Sequence, residues 1–442
     1  MKKALAIAGI GLVAAAGFSS YMGRTLSQQA FDVQVEELRK LAPLYLLTLE
    51  DAELKQGLFS GEARVSLFFE PPTADQPPMF FVVESALQYG PLMMTDDGIK
   101  LGLVAGKSHL TVKGLSESAA EQLEALIGPH LLSATHLVDF NQQLVAELQV
   151  PAFDITEEQQ RVSFAGVQAQ IRSDMTTHTA EGDITIGSLT ISVPEGNMDI
   201  ATSQAQFASS DITDYMAPGQ FTLNFPEINV TQPGITSTLQ NLAIAVEQTV
   251  DDGMINITET LSIANIISPL PVTAASATFE FERLNPKGVE LWTEMAAQLG
   301  SLDNDAGLPD ISSEQTREMV GALLQQGLQF NQRYQLEALD GTLNADLDIE
   351  YLGLPDGLHP MDITDPSQFL SAIKAELKFE TDQQVMSILP IGPAVPQYVE
   401  QGLLLEEEQK LRMTATLVNG ELTVNDLPFP LEGLLPAELA KN

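Results

Sequence analysis

The stretch Gly102 to Ser108 reads Gly-Leu-Val-Ala-Gly-Lys-Ser, residue types that in a phosphate-binding loop hold phosphate oxygens with backbone N–H groups and a lysine. The first glycine of such a loop would fall at Leu101, so the spacing is one residue short, and strand-like flanks surround it with no helix to follow. A hairpin turn between Leu101 and Leu110 is the expectation. Gly57-Leu58-Phe59-Ser60-Gly61 places a serine between glycines as a nucleophile elbow does, but in the fourth position and not the third, so Ser60 is expected as a turn hydroxyl. Asp303, Asp305 and Glu314 fit three positions of a calcium loop, while Gly307 replaces a ligand and Leu308 the turn glycine, which leaves a solvated linker as the expectation. The spacing of His130 and His136 suits neither one helical face nor adjacent strand positions, so no metal site is expected there. Trp292, followed by Met295 and Leu299, reads as the core face of a helix. No carboxylate pair is singled out for acid–base work among 60 acidic residues. The expectation is therefore a chain without catalytic residues, metal or cofactor.

Composition bounds what such a chain does. With 442 residues and 44% hydrophobic content it is long and apolar enough to build a substantial core. Its 60 acidic against 21 basic residues give a formal charge of -39, which repels nucleic acid, so no nucleic-acid partner is expected. The absence of cysteine excludes disulfides, thiol catalysis and cysteine zinc sites. Lys2 and Lys3 precede an apolar run from Ala4 through Leu12 to Phe18, a pattern that keeps the basic end in the cytoplasm and sends the rest across the inner membrane. An apolar helix from Ala4 to Met22 has about the ~20 residues needed to span a bilayer as a single-pass anchor. Ala14-Ala15-Ala16 offers the alternative, a cleavage site that would release a soluble periplasmic body.

The elements that carry these residues follow from periodicity. Phe31, Val35, Leu38, Leu41 and Leu44 recur at helical intervals within Leu26 to Leu49 and predict a juxtamembrane helix ended or kinked at Pro43. Downstream the period becomes two, at Val65 and Leu67, Leu101 and Leu103, Leu110 and Val112, and Val162 and Phe164. It is clearest from Leu343 to Tyr351, where one face is apolar and the other carries Asn344, Asp346, Asp348 and Glu350. Pro194 to Asn197, Asp251-Asp252-Gly253 and Asn419-Gly420 suit tight reversals between such strands. Helices are expected at Ser116 to Ile127, Pro286 to Leu299 and Ser313 to Phe330. The predicted fold is mainly β with accessory helices (β-rich α+β), an elongated antiparallel meander sheet system after an N-terminal membrane helix. Its segments are 1–25 (anchor or signal), 26–50 (juxtamembrane helix), 51–300 (β-rich) and 301–442 (helix plus β, continuous with the preceding sheet).

The Gly57 to Ala63 turn (Gly-Leu-Phe-Ser-Gly-Glu-Ala), Tyr-Gly-Pro-Leu at Tyr89 to Leu92, and Asn-Gly-Glu-Leu-Thr-Val-Asn at Asn419 to Asn425, behind a lysine-led anchor, together resemble the YdgA-like family of bacterial envelope proteins of unknown function. The resemblance implies a membrane-attached, periplasmic, β-rich body and supplies no catalytic residue. The functional expectation is a non-enzymatic envelope protein that binds lipid or another apolar molecule along its sheet. Ile184, Ile186, Leu189, Ile191, Leu223, Ile255 and Ile257 are the candidate face, because apolar residues alternate there over successive strands. The alternative is an interaction or scaffold module that binds an envelope protein, and a hydrolase ranks third.

Overall fold

A computed structural model of the chain describes residues 47–57, 59–69, 78–90, 92–96, 98–214, 216–269, 271–300, 313–355, 358–363 and 365–430, with isolated positions between 28 and 42. The segment carrying Lys2, Lys3, Ala4, Leu12 and Phe18, and the stretch with Asp303 and Asp305, lie outside these residues. Among the described residues no helix is long and apolar enough to cross a membrane. The chain divides into two compact units, Met1–Ala217 with Thr293–Ile311 and Pro218–Trp292 with Ser312–Asn442.

In the first unit the strands are β1 (Leu47–Gln56), β2 (Ser60–Phe69), β3 (Met79–Tyr89), β4 (Leu92–Thr95), β5 (Gly98–Leu101), β6 (Val104–Lys113), β7 (Leu132–Val138), β8 (Gln143–Val150), β9 (Phe153–Glu157), β10 (Gln160–Phe164), β11 (Val167–Asp174), β12 (Thr179–Ile186), β13 (Leu189–Val193), β14 (Gly196–Ile200) and β15 (Ser203–Ser209). The main antiparallel sheet runs β1-β2-β3-β6-β7-β8-β11-β12-β15. Alternation sends Val65, Leu67, Phe81, Val83, Leu110, Leu132, Ala146 and Leu148 to one face, where Phe31, Val35 and Leu38, helical at their described positions, pack against them. The helix expected up to Leu49 stops short: Leu47 and Leu49 already pair with Phe69 and Leu67 in the β1–β2 ladder, since β1 has a partner strand that supplies its backbone hydrogen bonds. Strands β9-β10-β13-β14 form a smaller antiparallel set, and β4 pairs β5 as a hairpin. The helix Glu117–Ile127 is capped by Ser116, whose hydroxyl accepts from the Ala119 N–H at 3.3 Å.

The second unit is an antiparallel meander of longer strands: β16 (Gly219–Gln232), β17 (Ile235–Asp251), β18 (Met254–Ile267), β19 (Val272–Leu284), β20 (Gln329–Ala338), β21 (Gly341–Tyr351), β22 (Ile373–Asp382), β23 (Leu405–Glu407), β24 (Lys410–Val418), β25 (Glu421–Val424) and β26 (Leu427–Phe429). The order is β16-β17-β18-β19-β20-β21-β22-β24, with β23 and β25 against successive halves of the far edge of β24 and β26 on β25. Asp252 (φ 48) and Gly253 (φ 75) close β17 onto β18, and Asn419 (φ 52) and Gly420 (φ 79) close β24 onto β25. Two consecutive left-handed residues give the hairpin turn whose twist matches the strands, as the Asp-Gly and Asn-Gly pairs predict. The helix Ser313–Leu323 ends well before Phe330, which instead sits in β20 opposite Phe281; Gly327, at φ 88, cannot continue a helix.

Candidate functional site

Strand alternation puts the hydrophilic residues of the first unit on the face opposite its core. Across the registers, Glu53, Arg64, Glu84 and His109 form one row, and Lys55, Glu62, Ala86, Lys107, Thr135 and Glu147 the next. A groove of about 990 Å³ runs along these rows, lined also by Gln88 and by Thr95, Asp96 and Lys100 of the β4–β5 hairpin. Lys55 pairs with Glu53 at 2.8 Å, Lys113 with Glu84 at 3.5 Å and Lys107 with Asp96 at 3.6 Å. Such exposed pairs add little stability, but they give the groove a mixed-sign lining suited to polar ligands.

Histidine and serine chemistry is divided between the two faces. His109 stacks on His130 with ring centroids 4.0 Å apart, and burial, then His130 and Lys107, push its pKa below the ordinary value. Ser108 is next to it in β6 and so turns to the core side, where its hydroxyl meets that of Ser85 at 2.7 Å. Ser133 stands opposite His109 in the β6–β7 register, and His109 Nδ1 has no hydrogen-bond partner among the described residues. On the core side His136 is buried against Gly106, its opposite residue in the β6–β7 register, and neither ring nitrogen has a hydrogen-bond partner among the described residues. Burial pushes its pKa down to about 4. No group of three or more potential metal ligands comes together among the described residues.

The motifs singled out in the sequence take definite places. Gly106, Lys107 and Ser108 lie inside β6, so the phosphate-loop resemblance is a strand segment. The expected hairpin turn between Leu101 and Leu110 does not form: β5 pairs with β4 and β6 with β3 and β7, and Gly102 and Leu103 link the two ladders as a bend, where the Leu103 N–H donates to the Val138 carbonyl at 2.8 Å. Ser60 opens β2. Two of the motif segments meet: the Tyr89 N–H donates to the Phe59 carbonyl at 2.9 Å, and the Tyr89 hydroxyl occupies the space a side chain at Gly61 would need. Trp292 is 57% exposed, so it is not the core residue expected; Leu291 beside it takes the buried position.

The second unit carries a broad apolar sheet face. Its registers place Leu223, Ile244, Leu261, Ala277 and Tyr334 in one row across β16 to β20, with Phe225, Leu242, Ile263, Ala275 and Leu336 on one side of it. On the other side lie Phe221, Val246, Glu259, Phe279 and Gln332, then Ile257, Phe281 and Phe330. The opposite face is polar: Thr260 meets Thr278 at 3.4 Å, Arg333 meets Glu280 at 2.7 Å, and Arg412 meets Glu380 at 2.8 Å. Towards β22 and β24 the apolar face is covered, because Met386, Leu389, Val395, Tyr398, Val399 and Leu404 pack on Phe379, Leu411 and Met413. Over β18 to β20 it is open, with Leu261 42%, Tyr334 40% and Phe281 39% exposed. At about 4.8 Å per strand and about 6.8 Å per pair of residues, the three open strands and four rows span roughly 10 by 20 Å, an open patch of about 200 Å².

The expected ligand residues divide accordingly. Leu223 and Ile257 lie half-buried on this face, whereas Ile255, at 1% exposure, is covered and unavailable. Ile184 and Ile186 are on β12, Ile184 packing against the first unit's core, and Leu189 and Ile191 are in the small sheet beside Ile200 and Met198. The face therefore joins only part of the expected set, and adds Ile244, Leu261, Phe279, Phe281 and Tyr334, whose alternation was visible but whose exposure was not.

A family model described as "Bacterial protein of unknown function (DUF945)" matches residues 1–432. No curated protein and no solved structure matches the chain.

Proposed function

The chain belongs to this bacterial family of unknown function, and from that premise we propose that it is a non-enzymatic envelope protein that holds a lipid or similar apolar molecule on the open sheet face of its second unit. The observation that carries the reading is the exposure of Leu261 and Tyr334, in one row with Ala277, and of Phe281 two rows away, on a sheet whose other face is polar. At about 25 cal/mol per Å², covering an open patch of about 200 Å² is worth on the order of 5 kcal/mol before the costs of association. One bilayer leaflet holds about 15 Å of hydrocarbon, half of a core ~30 Å thick, so the span of the face fits the chains of a membrane lipid. The basic-then-apolar N-terminus supports a body on the periplasmic side of the inner membrane, tethered there or released by cleavage. Within the family, the Gly57 to Ala63, Tyr89 to Leu92 and Asn419 to Asn425 motifs favour the YdgA-like members.

The test is native mass spectrometry of the full chain extracted gently from membranes, together with uptake of a fluorescent fatty acid. Wild type should carry lipid-sized adducts and take up the probe, and Leu261→Asp or Leu223→Asp should cut both several-fold with an unchanged circular dichroism spectrum. An adduct-free chain that ignores the fatty acid removes the reading. The mixed-sign groove of the first unit favours a second reading, docking of a polar segment of an envelope protein. In that case Arg64→Glu with Lys107→Glu would abolish a crosslink from the groove while leaving lipid uptake intact.

A further inference from the structure

Resting on that reading, we propose that the apolar face discriminates between headgroups, taking lipids with a cationic amine in preference to anionic ones, and that Glu259 is the residue that does so. Among the nineteen face residues between β16 and β20 named above, from Phe221 to Leu336 with Gln248 beside Ile257, Glu259 is the only charged side chain; the next row of the face carries Glu227, whose carboxylate already accepts from the Asn229 and Gln240 amides at 2.7 and 3.3 Å. It stands between Val246 and Phe279 in the register, is exposed, and has no Lys or Arg within ion-pair distance among the described residues. A carboxylate there gains nothing from the apolar side chains around it and offers a counter-charge to whatever lies on the face.

The second polar group of the same row is Gln332, two strands away across Phe279. The Tyr334 hydroxyl donates to Gln332 Oε1 at 3.3 Å, which fixes the carbonyl end and leaves the amide N–H group as the end that can donate to a headgroup. A carboxylate for an ammonium and an amide donor for a phosphate oxygen lie about 10 Å apart at ~4.8 Å per strand, with an aromatic ring between them. An aminophospholipid presents both charges at one end of its chains. An anionic headgroup meets the Glu259 carboxylate with no compensating cation on the face, within a chain of net charge -39. The occupant is accordingly a zwitterionic aminophospholipid.

The experiment incubates the full chain with vesicles of phosphatidylethanolamine and phosphatidylglycerol mixed in equal amounts, re-isolates the protein and reads the ratio of the two adducts by native mass spectrometry. At low salt wild type should favour phosphatidylethanolamine by about five-fold, the effect of one partly exposed ion pair, and the preference should shrink as salt rises. Glu259→Gln should bring the ratio near one with total lipid load preserved, and Glu259→Lys should invert it. A ratio unchanged in Glu259→Lys, or a wild-type ratio of one or below, overturns the assignment while leaving lipid binding itself in place. No adduct of either lipid on wild type or variants overturns the binding reading and this inference with it.

Discussion

His136 carries no hydrogen bond on either ring nitrogen among the described residues, and burial holds its pKa down at about 4 against an ordinary 6.5. The unfolded chain therefore takes up a proton between pH 6.5 and pH 4 that the folded chain resists, so stability is full above that window and declines as pH falls through it. The decline should approach about 1.4 kcal/mol per pH unit. Urea midpoints measured from pH 7 to pH 4.5 should fall for wild type and less steeply for His136→Leu, in which the depressed pKa of His109 still contributes; parallel slopes would show that His136 is not the group responsible. Gly106 is the other half of this contact, since a Cβ there would overlap the His136 ring and crowd Leu87. Gly106→Ala should cost about 1–3 kcal/mol of stability, and less in a His136→Ala background, as a double-mutant cycle would read. Neither residue announces this partnership in the sequence. The β6–β7 register brings them together from positions 30 apart, and local spacing carries no information about register between strands.

At the level of elements, the hairpins were legible because turn chemistry is local: Asp252-Gly253 and Asn419-Gly420 adopt the left-handed pair that their side chains permit. Asn425 extends the point. At φ 50 it opens the turn from β25 to β26, its Oδ1 accepts from the Thr414 N–H at 2.9 Å, and its Nδ2 donates to the Gly402 and Leu403 carbonyls at 2.9 and 3.2 Å. One side chain thus ties the β25–β26 hairpin to β24 and to the segment before β23. Asn425→Gly keeps the backbone geometry and loses these bonds, so it should cost about 1–3 kcal/mol in chemical denaturation, with Asn425→Ala costing more through its unfavourable φ. Equal effects of the two substitutions would assign the cost to the hydrogen bonds alone. The helices were less legible at their ends. Apolar residues at Leu324, Leu328 and Phe330 fit either period, and it is the ladder with β19 and β21 that draws Phe330 into a strand. Trp292 fails for a related reason: helical spacing names an apolar stripe but not whether another element covers it.

For the whole molecule, the absence of a complete metal or nucleotide motif predicts that thermal melting of the full chain is unchanged by chelator, calcium, zinc or ATP. A rise of several degrees with calcium would restore Asp303, Asp305 and Glu314 as a site. The N-terminal run predicts that the protein stays with membranes through carbonate extraction and keeps its lysine-led end on N-terminal sequencing; a mature chain starting near Gly17 would instead establish cleavage. The sequence by itself determined the β-rich character, the positions of several strands and tight turns, and the two-faced pattern of segments such as Leu343 to Tyr351, because side-chain direction alternates within each strand whatever lies around it. It did not determine which apolar faces stay open. Ile255 and Leu261 occupy equivalent alternate positions of β18, yet one is 1% and the other 42% exposed. Coverage depends on elements distant in sequence, as the segment from Met386 to Leu404 covers Phe379, Leu411 and Met413 but leaves Leu261 and Tyr334 bare. Only the tertiary structure decides that, because burial is a property of what packs on a face and alternation is a property of the strand alone.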